Sequence, residues 1–165
     1  MATKKGIVIT IGILVAITAS SFLIWIIPQN NQNIFVVSDF ETYLDNVKEI
    51  HVTLLLEIEE DFQKMLNNEI SPEDYIKIAE ITSSQINSEI IQIVGSDPPE
   101  EWYDSYFNYI EALKKSNSYI RETIVVANIM KNDADEEKIK ELLETINDFR
   151  LDSKSLSVAS DKARP

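Results

Sequence analysis

Three features of this chain point to an all-α protein: an N-terminal transmembrane helix followed by an antiparallel four-helix bundle. The first is an uncharged run from Gly6 to Ile27, preceded by Lys4 and Lys5 and ended by Pro28. The second is a set of four long segments whose apolar residues recur at steps of three and four. The third is punctuation. Ser, Asp and Pro open these segments, and three glycines in 165 residues leave them otherwise unbroken.

At ~1.5 Å per residue the run 6–27 is long enough for the ~30 Å hydrocarbon core of a bilayer. A cleaved secretory signal is the competing interpretation, with Ile17-Thr18-Ala19 and Ala19-Ser20-Ser21 as cleavage sites. Cutting there would leave Phe22 to Ile27 as an exposed apolar end. As the outer half of a span those residues are accounted for, with Trp25 at the interface. An uncleaved anchor is therefore expected. The two lysines precede the span and no basic residue follows it until Lys48, so the positive-inside rule places residues 1–5 as a cytoplasmic stub. The bulk of the chain is then extracytoplasmic, on a single-pass cell-membrane protein. Gly12, Ala16 and Ser20 share one face of the span, a small-residue stripe suited to helix pairing and to a homodimer through the membrane.

Residues 28–37 are rich in Asn and Gln and form a linker. The bundle is expected over 38–151. Ser38-Asp39-Phe40-Glu41 has the capping-box pattern, with Ser38 as N-cap of a helix at about 39–68. Its stripe includes Tyr43, Leu44, Val47, Ile50, Leu54, Ile58, Phe62 and Met65. Ser71-Pro72-Glu73-Asp74 opens a second helix, 72–94, which Gly95 ends as a left-handed residue. Asp97-Pro98-Pro99 opens the third, 98–131. Asp133-Ala134-Asp135-Glu136 caps the fourth, 134–151, with Ile139, Leu142, Leu143, Ile146 and Phe149 as its stripe. Residues 152–165 read as a polar tail that frays. Short connections make neighbouring helices antiparallel.

Composition narrows function. All 28 acidic residues follow the span while two of the 15 basic residues precede it, so the outer part is more acidic than the whole-chain −13. Such a surface repels nucleic-acid phosphates, and no polynucleotide partner is expected. No cysteine is present, which excludes disulfides, thiolate metal sites and thiol nucleophiles. No Gly-rich phosphate loop and no Gly-x-Ser-x-Gly elbow occurs.

His51 is the only histidine, and Lys48 stands three residues before it, where a di-iron bundle needs Glu. It is expected as a partly exposed residue beside Ile50. Asp133, Asp135, Glu137, Ile139, Glu141 and Glu144 match the spacing of a calcium loop, but Lys138 occupies the position that needs Gly. No catalytic residue, metal ligand or cofactor is expected.

Trp102, Tyr103, Tyr106, Phe107 and Tyr109 place five rings within eight residues. They form two stripes, Tyr103-Phe107-Ile110 and Trp102-Tyr106-Tyr109-Leu113. One suffices for the core. The second either widens the buried face, lines a pocket, or anchors a partner, since Trp and Tyr dominate contact hot spots. Trp102, Tyr106 and Tyr109 are the partner-binding candidates, toward an envelope or membrane-complex protein. A ligand-sensing bundle and a weak cation- or solute-binding protein are the alternatives.

The layout resembles a loose group of uncharacterised archaeal and prokaryotic single-pass membrane proteins with a small extracytoplasmic helical bundle. The resemblance is carried by Asp97-Pro98-Pro99-Glu100-Glu101-Trp102-Tyr103 and Tyr109-Ile110-Glu111-Ala112-Leu113. It covers about the last 70 residues. Members often carry a His near Asn108 or Tyr106, and this chain does not. The resemblance implies a bundle on a membrane tether and no particular activity.

Overall fold

A computed structural model of the protein describes residues 37–132 and 136–165. The span at 6–27, its stripe Gly12, Ala16 and Ser20, the stub and nearly all of the linker lie outside the described residues. So do Asp133 and Asp135, the first two positions of the calcium-loop spacing, and the expected cap of the fourth helix. Among the described residues no helix is long and apolar enough to cross a membrane.

The described chain is an all-helical bundle. Four α-helices are described: α1 (Phe40–Leu66), α2 (Pro72–Val94), α3 (Tyr103–Lys131) and α4 (Glu136–Lys162). Asp39 caps α1, not the expected Ser38. Its carboxylate accepts from the Thr42 backbone N–H at 3.0 Å and from the Thr42 hydroxyl at 2.7 Å. Ser71 caps α2 through the Asp74 N–H at 3.1 Å, with Pro72 in the first turn. Gly95 follows α2 with φ −80, so it is not left-handed. The reversals fall on Asn68 (φ 61) and Asp97 (φ 47), residue types that tolerate this region. A 3₁₀ turn, Glu100–Trp102, precedes α3, so α3 starts later than the sequence suggests.

Cross-helix contacts give the order of packing. Phe62 of α1 lies against Tyr75 of α2. Tyr75 donates to Thr123 of α3, and Ser83 donates to Asn117, so α2 and α3 run antiparallel. Ser105 and Ser116 of α3 meet Ser160 and Ser153 of α4, again antiparallel. Lys48 pairs with Asp161 and Glu59 with Arg150, which sets α1 antiparallel to α4.

The core stripes follow a 4-3 spacing that runs through polar residues. On α2 the buried positions are Tyr75, Ala79, Thr82, Ile86, Glu89 and Ile93. On α4 the buried positions Ile146, Ser153 and Ser160 are seven apart. The segment read as a fraying tail is therefore helix. Its Ser153 and Ser160 fill core positions that Leu would normally take. Ser105, Ala112 and Ser116 face them from α3, and all are buried. Small side chains on both sides let the two helices approach closely, and α3–α4 is the most extensive pairing of the bundle.

Candidate functional site

The strong attachment of α4 to α3 leaves α1 and α4 apart. Between them lies a cleft of about 560 Å³, within the usual range of small-ligand sites. Val52, Leu55 and Leu56 of α1 and Leu151 of α4 make its aliphatic walls. His51, Ser116 and Ser153 reach its floor. Leu56, Val52 and Leu151 are each more than half exposed, so the mouth of the cleft is apolar as well.

The floor is a hydrogen-bond chain whose polarity can be worked out. Ser153 donates its one proton to the Ala112 carbonyl at 2.9 Å. Its oxygen therefore accepts from Ser116, at 2.7 Å. Ser116, its proton spent, accepts from His51 Nε2–H at 2.8 Å. A neutral imidazole protonated at Nε2 accepts at Nδ1, where Tyr109 donates its phenol proton at 2.7 Å. Every member is satisfied, and the chain crosses α1, α3 and α4.

Burial holds the imidazole neutral, lowering its pKa from 6.5 to about 4. Burial also raises Tyr109, and the nearby Glu89 carboxylate adds to it, so the phenol stays a donor. Lys48 sits over the Tyr109 ring, 5.0 Å from its centroid. This polarity is the reverse of a nucleophilic Ser–His pair. His51 gives a proton toward Ser116 and has no free lone pair with which to take one.

His51, expected as partly exposed, is 3% exposed, while Ile50, expected in the core, is 53% exposed. The α1 stripe passes through Val47, His51 and Ile58, and Ile50 falls one step off it. The aromatic stripes are exchanged in the same way. Tyr106 and Tyr109 are buried, and Tyr103 and Phe107 face solvent. Trp102 is half-buried and packs edge-on against Tyr106. Tyr106 spends its hydroxyl on the Phe40 carbonyl at 2.8 Å. Tyr106 and Tyr109 are thus core residues and do not form the partner-binding surface expected of them with Trp102.

A second buried group was not foreseen. Glu89 occupies a core position of α2, and its Oε2 has no hydrogen-bond partner. Burial pushes its carboxyl up to about 7, from 4.5. Its charge reaches Tyr43 on α1 and Tyr109 on α3. Among the described residues no group of three or more His, Asp or Glu is placed to hold a metal ion.

Neither known protein-family models, nor curated proteins, nor solved structures give a match to this chain.

Proposed function

We propose that the chain is a membrane-tethered, non-enzymatic binding protein whose bundle holds a small, largely apolar ligand between α1, α3 and α4. The cleft carries this proposal. It joins aliphatic walls to a satisfied polar floor on three helices, the composition that ligand sites favour. Non-enzymatic action is supported by the hydrogen-bond polarity, which leaves neither Ser116 nor His51 set up to activate a nucleophile. The tether is supported by the run 6–27 and its flanking lysines. A bundle beside a span suits sensing or carriage, with the response delivered by a partner.

The test is a thermal melt of the full-length protein with a neutral aliphatic alcohol such as decanol. The parent is expected to melt at a higher temperature with ligand, through preferential binding to the folded state. Leu55→Trp, which fills the cleft from the half-buried wall, is expected to abolish the shift. Leu56→Trp does the same from the exposed rim at less cost to the fold. A shift that survives both substitutions overturns the proposal.

A second reading, engagement of an envelope or membrane protein, is favoured by Tyr103 and Phe107, which are 52% and 63% exposed on α3. Crosslinked capture from intact membranes should lose its partner with Tyr103→Ala and Phe107→Ala if that reading holds.

A further inference from the structure

We infer that the cleft is selective for an elongated aliphatic anion, a medium-chain carboxylate, with its head group at Arg150 and Lys154. This rests on the ligand-binding proposal above and names the class of ligand. Shape, charge and the floor each bear on it.

The cleft runs along the facing sides of α1 and α4. Its lining runs from His51 to Glu59 on α1 and from Arg150 to Ser157 on α4. The Glu59–Arg150 ion pair bridges the helices at one end, and Lys48–Asp161 bridges them beyond the other. At ~1.5 Å rise per residue this lining is roughly 10–12 Å long. Val52, Leu55, Leu56 and Leu151 line the interval. This suits an extended chain better than a compact ring system.

The charge is one-sided. The lining carries Glu59, Arg150 and Lys154 as its charged groups, with His51 neutral. Glu59 and Arg150 offset each other. Lys154 has no described carboxylate within ion-pair distance, so the cleft holds one excess positive charge in a chain of net charge −13. Arg150 stands at one end of the α4 lining and Lys154 one turn further along the same side. An anion placed there gains an unpaired ammonium and shares a guanidinium. A cation meets repulsion.

The floor assigns the ligand's orientation. The protons of Ser116, Ser153 and His51 are all committed within the chain. These three groups offer no donor to a carboxylate. Of the remaining lining, which includes the Tyr119 and Ser157 hydroxyls, Arg150 and Lys154 are the cationic groups, so the head group goes to them. The aliphatic tail lies over hydroxyls whose hydrogen bonds are already made.

The test is calorimetric titration of the full-length protein in lipid nanodiscs, with empty discs as reference. The ligands are decanoate, decanol and decylammonium. Decanoate is expected to bind saturably and about tenfold more tightly than decanol. Lys154→Glu should cost decanoate about tenfold and leave decanol unchanged. Lys154→Gln, which keeps the side chain's reach, should lie between. Equal affinity for decanoate and decanol, or preference for decylammonium, overturns the anion assignment and leaves the cleft proposal standing. Absence of saturable binding by all three, with no effect of Leu55→Trp, overturns both.

Discussion

His51 and Glu89 are buried titratable groups whose effects on stability run in opposite directions with pH. For His51 the folded pKa of about 4 lies below the unfolded 6.5, so the folded state favours the neutral imidazole. Its contribution is full above pH 6.5 and is lost as pH falls toward 4. For Glu89 the folded pKa of about 7 lies above the unfolded 4.5. Its protonated form is the one the fold tolerates, so the protein is penalised as pH rises from 4.5 through 7. Urea denaturation separates the two. The stability advantage of the parent over His51→Gln should shrink by about 2–3 kcal/mol between pH 7.5 and 4.5. Glu89→Gln should gain on the parent as pH is raised from 5 to 8. A flat difference in either variant refutes that residue's assignment.

At the scale of the helix, α4 shows how a polar segment is held in place. Residues 152–162 carry little apolar surface, yet they are helical and docked. The reason is steric. Ser153 and Ser160 set their backbone close to α3, where Ser105 donates to the Ser160 carbonyl at 2.9 Å. Such hydrogen bonds contribute on the order of 1 kcal/mol each, and close backbone packing adds dispersion. The solvent-exposed Glu59–Arg150 pair between α1 and α4 contributes ~1 kcal/mol or less. The α3 seam therefore wins, and α4 leans away from α1. Ser153→Leu should destabilise by about 1–3 kcal/mol through overpacking. Ser155→Leu, on the exposed side of the same turn, should change stability by less than ~0.5 kcal/mol. Equal effects of the two in chemical denaturation would count against the seam.

The described residues form a bundle with α1 and α4 left open to each other, and the proposed tether rests on the apolar run 6–27. Full-length protein expressed in cells should remain in the membrane fraction after alkaline carbonate washing. A chain beginning at residue 38 should leave that fraction. Release of the full-length protein by carbonate would refute the span. Phe35–Pro165 form one compact unit by their own contacts.

Much of this architecture was legible in the sequence. The helical character of four segments, the Ser71-Pro72 start of α2 and most of the apolar stripes follow from period and capping chemistry, which act within a few residues. The candidate site was less legible. A strict 4-3 register carries Thr82 and Glu89 into the core of α2, and Ser153 and Ser160 into the core of α4. That signal was present, but polar residues hide it from a search for apolar ones. His51 was hidden in the same way, because Ile50 beside it is the more hydrophobic choice.

What the sequence determined by itself is local: helix period, caps, an acidic surface and an apolar run long enough for a bilayer. Tertiary structure alone decided which of two aromatic stripes is buried, because both have helical spacing and only the neighbouring helices select between them. It also decided the direction of the Tyr109–His51–Ser116–Ser153 chain, whose members are separated by up to 102 residues and meet only across three helices. The cleft arises the same way. It exists because small side chains draw α4 to α3, a competition between interfaces that no single helix encodes.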